Sequence, residues 1–194
     1  MIGKWGREVA GASARRNVRY ALGYMLGADK EASRVGYWAV IDEGIVRPDR
    51  GAGVVWEPVA GNGERPAAIF AANLSSIATA DLEMQLVADA NPLLKSAPTM
   101  HLMLSHNPTE TASISNAEVI AADVDVLNRL GLGDHQYVIS VHRDVPHHVH
   151  SHIVIGKCHP DSLRIWDSWR DRYRLTWALR ETELALRLDH SGSV

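Results

Sequence analysis

Two runs of alternating apolar and polar residues, His135 to Arg143 and Val149 to Lys157, are separated by a short link that contains Pro146. Period-two alternation marks a strand that rests one face on a core. A link this short cannot return the chain to a parallel register, so the two strands must be antiparallel neighbours. This hairpin is the feature that most restricts the fold.

The other elements group around it. Arg34 to Ile41, Val54 to Trp56 and Thr99 to His106 read as three more strands, giving five. Ser13 can cap a helix that runs to about Gly27, with Val18, Leu22, Met25 and Leu26 on its apolar stripe. A second helix spans about Ile77 to Ala90 and stops at Asn91-Pro92. Ser115 and Glu118 form a capping box for a third, ending at Gly131. Residues 165–188 read as a final helix, on which Trp166, Trp169, Tyr173 and Trp177 have the spacing of a core-facing stripe. The expected class is α+β: a mainly antiparallel five-stranded sheet flanked by helices. With 194 residues and no internal repeat or linker, the chain reads as a single domain over 1–194.

Composition excludes several classes. At 46% hydrophobic and 22% charged, the chain is globular rather than disordered or fibrous. Its apolar runs are too short and interrupted to span a bilayer, so no membrane association is expected. The first residues lack the apolar core of a secretory signal, and the single cysteine, Cys158, excludes an internal disulfide, so a reducing cytoplasm is expected. Net charge is -3, but it is unevenly spread. Residues 1–34 hold seven basic and three acidic side chains, whereas residues 35–163 hold seven basic and fifteen acidic ones. Any polyanion would meet the ends of the chain first.

Ten histidines against one phenylalanine is the skewed count, and five of the ten lie between His142 and His152. Alternation puts His150 and His152 on one face, about 7 Å apart at the backbone. Val149, Ser151, Ile153 and Ile155 take the other face. Val138, Ser140 and His142 share a face on the preceding strand, so an in-register hairpin brings His142 against His150 and His152. Three imidazoles with open positions suit a catalytic metal site. Ligand type alone leaves zinc, copper, manganese and iron open. Asp144 is close enough in sequence to orient a ring N–H, and His148 offers an alternative to His150. His147 and His148 fit a solvated turn.

Tyr20 and Tyr24 sit one helical turn apart, away from the apolar stripe, so they are not natural core residues. Arg15, Arg16 and Arg19 precede them and suit a phosphate backbone. A phenol positioned beside a phosphate can attack it and keep the product covalently.

Together these residues resemble a known family. His142-x-Asp144 followed by His150-x-His152 resembles the third motif of plasmid-mobilisation relaxases of the MOB-P class, which are HUH-type endonucleases. Supporting matches are Thr99 to Ser105, Leu130 to Gln136, Lys157-Cys158-His159-Pro160, and Tyr24-Met25-Leu26-Gly27 followed by Arg34-Val35-Gly36. Gly156 stands where the family has asparagine. The resemblance implies an HUH-like sandwich and an enzyme that nicks single-stranded DNA at a transfer origin. A tyrosine attacks one phosphate, giving a 5′-phosphotyrosyl link and a free 3′-OH, in the service of conjugation or mobilisation. Carried over by position, Tyr24 is the nucleophile with Tyr20 in reserve, Asp144 assists, and His142, His150 and His152 hold a divalent ion. Magnesium or manganese is expected, with zinc, nickel or copper as alternatives. Arg15, Arg16, Arg19, Ser105 and Lys157 would contact DNA. Accessory DNA-binding and coupling proteins, and a bacterial cytoplasmic location, also follow from the resemblance. The length corresponds to the nicking domain alone. Two other readings fit the residues: a metal-dependent hydrolase with Asp144 as base, and an inactive DNA-binding accessory protein.

Overall fold

The computed structural model describes residues 1–5, 38–42, 54–58, 67–109, 113–145 and 148–188. Seven strands form one sheet in the order β1-β5-β7-β6-β4-β3-β2. They are β1 (Ile2–Trp5), β2 (Trp38–Asp42), β3 (Val54–Pro58), β4 (Ala68–Ala72), β5 (Thr99–Ser105), β6 (Tyr137–Val145) and β7 (His148–Gly156). Every neighbouring pair is antiparallel. The antiparallel α+β expectation therefore holds, with two strands beyond the five expected. β1 is four residues long, too short for alternation to register. β4 (Ala-Ile-Phe-Ala-Ala) is apolar on both faces and alanine-rich, which hides both the period and the strand preference.

Among the described residues the helices are α1 (Ala80–Asp89), entered through a 3-10 turn at Ile77–Thr79, α2 (Asn116–Arg129) and α3 (Asp171–Leu186). The capping box of α2 is present: Ser115 Oγ accepts from the Glu118 N–H at 3.2 Å, and the Ser115 N–H donates to Glu118 Oε2 at 2.7 Å. The Ser115 backbone and then its hydroxyl hold the Glu118 carboxyl below its ordinary range. At the other end Gly131 has a φ of +75°, and the Leu132 N–H reaches back to the Leu127 carbonyl at 2.8 Å. This is a left-handed helix stop that favours glycine.

α3 begins six residues later than the sequence suggests. Residues 157–166 instead extend the hairpin: Trp166 N–H donates to Lys157 O at 2.8 Å, and Cys158 bridges Ile165. Trp166 turns inward against Trp5, with ring centroids 5.6 Å apart. The rest of the supposed core stripe is exposed: Trp169 by 65%, Tyr173 by 78% and Trp177 by 53%. α3 instead buries Leu175, Ala178 and Leu179. They press so closely on β1 that a side-chain carbon at Gly3 would meet Leu104, Leu175 and Leu179 at 3.0–3.1 Å.

The main core lies on the sheet face under α2 and α3, and takes in Leu102, Leu104, Ile139, Val149, Ile153 and Ile155. A smaller core on the opposite face joins Ile69, Val138 and Val154 to Ala80 and Met84 of α1. α1 covers only part of that face. Beyond Val138 and Val154, the same positions on β6 and β7 carry serine and histidine. The predicted helix from Ser13 to Gly27, and residues 34–37 of the predicted strand there, lie outside the described residues.

Candidate metal centre

β6 and β7 pair so that His142 stands directly across from His150, and Ser140 across from His152. The register shifts immediately afterwards, between His142 and Val145. Such an irregularity twists the strand end and re-aims its side chains. Ring nitrogens of His142, His150 and His152 all come within 4.8 Å of one another. Ring centroids are 5.2 Å apart for His142 and His150, 5.0 Å for His142 and His152, and 5.2 Å for His150 and His152. His142 and His152 are only 4% and 7% exposed, while His150 is half-buried. His150 is thus the most accessible of the three.

These residues fit a divalent ion. Imidazole nitrogens bonded at about 2.1 Å can stand up to about 4.2 Å apart across an ion, so small side-chain rotations would close the set. Three neutral donors leave positions for substrate or water and leave the ion's charge undiminished. His148 does not replace His150 in the trio; it stacks on the His150 ring at 5.1 Å.

Two neighbours brace the trio. Ser140 Oγ lies 2.9 Å from His142 Nε2. His101, on β5, brings Nε2 to 2.9 Å from His152 Nδ1, with the two ring planes 23° apart. Burial pushes the His101 pKa below its ordinary value. The sequence reading passed over His101, although it shares the parity of Met103 and Ser105, which the register places beside His152 and His150.

The other predicted site residues divide by position. Ser105, half-buried, is the β5 partner of His150 and borders the trio. Lys157 follows the far end of β7, about 16 Å along the strand from His152, where its ammonium donates to Ser96 Oγ at 3.2 Å. The structure does not bring it to the histidines. Asp144 belongs to β6, but its side chain lies outside the described residues. So do His147, Tyr20, Tyr24, Arg15, Arg16 and Arg19.

A second polar group was not anticipated. On the core face, directly behind the trio, His106 Nε2 stands 3.7 Å from Asp123 Oδ1 of α2, and both side chains are wholly buried. Burial raises the Asp123 carboxyl above its ordinary range, opposed by His106 and by Ser151, which sits between two of the trio's residues on β7. The only sequence signals were a histidine at the end of a predicted strand and an aspartate inside an apolar helical run.

No curated protein and no solved structure gives a significant match to the chain. A family match does cover residues 58–188, under the description Relaxase, MobA/VirD2-like, nuclease domain. It includes the whole histidine wall and begins after Tyr20 and Tyr24. With two strands bringing three imidazoles together inside a match that takes in most of the chain, the protein belongs to the relaxase family, as a MobA/VirD2-like nuclease domain.

Proposed function

We propose that this chain is a site- and strand-specific nicking enzyme and strand transferase for single-stranded DNA at a transfer origin, with residues 1–194 acting as one nicking domain. The observation that carries the reading is the convergence of His142, His150 and His152 on one sheet face of a relaxase-family nuclease domain. These residues would hold a divalent ion, magnesium or manganese, which when bound supplies positive charge at the scissile phosphate. Ser140 and His101 hold the rings that would ligate it. Ser105, the β5 partner of His150, would meet the strand on the 3′ side of the cut.

Tyr24 is the proposed nucleophile and Tyr20 the reserve. The phenol oxygen bonds to phosphorus, the bond from phosphorus to the 3′ oxygen breaks, and the phenol proton ends on the departing 3′-OH. Phosphoester energy is kept in the 5′-phosphotyrosyl link, so the step reverses when a 3′-OH returns. Arg15, Arg16 and Arg19 would hold backbone phosphates, and Asp144 would assist the histidines. Accessory and coupling proteins, and a bacterial cytoplasmic setting, belong to the same proposal.

The test is incubation with single-stranded origin DNA and Mn²⁺, followed by a denaturing gel. A covalent adduct that disappears in Tyr24→Phe is the expected result. An adduct mapped to Tyr20 would move the nucleophile by one helical turn. Cleavage with no adduct on either tyrosine would overturn the transferase reading.

A further inference from the structure

The register pairs His101 with Val154 and Met103 with His152, so His101 lies diagonally across the strand pair from His152. Diagonal neighbours are within reach of ring side chains. Here the reach is complete: His101 Nε2 and His152 Nδ1 are 2.9 Å apart, and the ring centroids 5.0 Å. Two nitrogens at that distance share a proton, and the chemistry of ligation decides who donates. A histidine that bonds a metal through Nε2 must keep a lone pair there. Its one ring proton then sits on Nδ1.

We propose that His101 is a positioning residue for the metal centre, accepting the Nδ1–H of His152 so that His152 presents Nε2 to the divalent ion. The proposal rests on the metal reading of the trio given above. His101 then carries its own proton on Nδ1. The arrangement matches the outer partners that fix tautomer and ring angle at metal-bound histidines, where a carboxylate or a backbone carbonyl commonly accepts. A neutral ring in that role has a consequence. A carboxylate behind the ligand would offset the ion's charge and repel an anionic phosphodiester. His101 orients His152 without adding negative charge, leaving the ion's field for the DNA.

The test compares His101→Met, which keeps length and packing but accepts no comparable hydrogen bond, with His101→Gln, whose carboxamide oxygen can stand near the former Nε2. His142→Ala serves as the ligand control. Mn²⁺ affinity of the whole chain is measured by calorimetry, with thermal melting to confirm folding. His101→Met should weaken Mn²⁺ about 10- to 100-fold, and His101→Gln should recover most of that loss. With Zn²⁺ bound, nitrogen NMR should place the His152 proton on Nδ1 in the wild type and in His101→Gln. Equal Mn²⁺ affinity in the wild type and His101→Met, with His142→Ala defective, overturns the role of His101 and leaves the metal site intact. Equal weakening in both His101 variants would assign the ring to packing and overturn the hydrogen bond. Mn²⁺ binding that survives His142→Ala overturns the metal reading and this inference together.

Discussion

The two faces of β7 are made by one nine-residue strand and do opposite work. Val149, Ile153 and Ile155 point into the main core, where each is fully buried. His150 and His152 point the other way, onto the face where Val154 packs with Ala80 and Met84 of α1. Burial of apolar surface holds the strand in register on one side. That register, and no local interaction among the histidines, sets His142 across from His150 on the other. A one-residue slip would exchange the faces. The site is therefore as stable as the core behind it, although it contributes little to that core.

The largest expected effect separates the faces by function. His142→Ala or His152→Ala should lower nicking of single-stranded DNA by on the order of 10²–10³-fold, as removal of a charge-stabilising group does. Unfolding in urea should change much less than for a core truncation. A variant that loses stability and activity in proportion would show that the histidines are part of the packing.

Ile153→Ala should do the reverse. It removes a fully buried side chain between β5 and β6, at an expected cost of about 2–5 kcal/mol. Activity per folded molecule should stay near the wild type while the urea midpoint falls. Lost activity in protein that is still folded would mean that the core face sets the histidine geometry more finely than register alone.

The buried Asp123 sharpens the comparison, because it puts a titratable group on the apolar side. Its carboxyl is raised by burial, so the folded state favours the protonated acid. That contribution is complete below the unfolded value, about 3.9, and is lost as pH rises through the folded value. Relative to Asp123→Asn, the wild type should lose stability over that rise and be no more stable than the variant at pH 8. A difference that stays flat with pH would show that His106 and Ser151 offset the burial.

Much of this was legible in the sequence because its signals were local. Alternation gave β6, β7 and the shared face of the three histidines; Ser115, Glu118 and Gly131 gave both ends of α2. What was missed depended on distant partners. β4 has no alternation because both its faces are buried. His101 gains its meaning only from the β5–β7 register, and the contact between His106 and Asp123 only from α2 packing across the sheet.

α3 shows the limit of periodicity, and the smallest expected effect tests it. Trp166, Trp169, Tyr173 and Trp177 have helical spacing, and so do Leu175, Ala178, Leu179 and Thr182. Pattern alone favours the bulkier set as core. The fold chooses the smaller one, because β1 and α3 meet at Gly3, where there is no room for indoles. Trp166 escapes the choice by lying before the helix, with its Nε1–H donating to Leu130 O at 3.1 Å. Tyr173→Ser and Trp177→Ser should therefore shift stability by no more than about 0.5 kcal/mol, the range of ordinary surface changes. Trp166→Ala should cost several times more, since it removes both the packing on Trp5 and a hydrogen bond to the last turn of α2. Urea denaturation of the three variants measures the contrast. Comparable losses in all three would mean that the outer stripe is covered in solution, and the division of α3 into a buried and an exposed face would have to be redrawn.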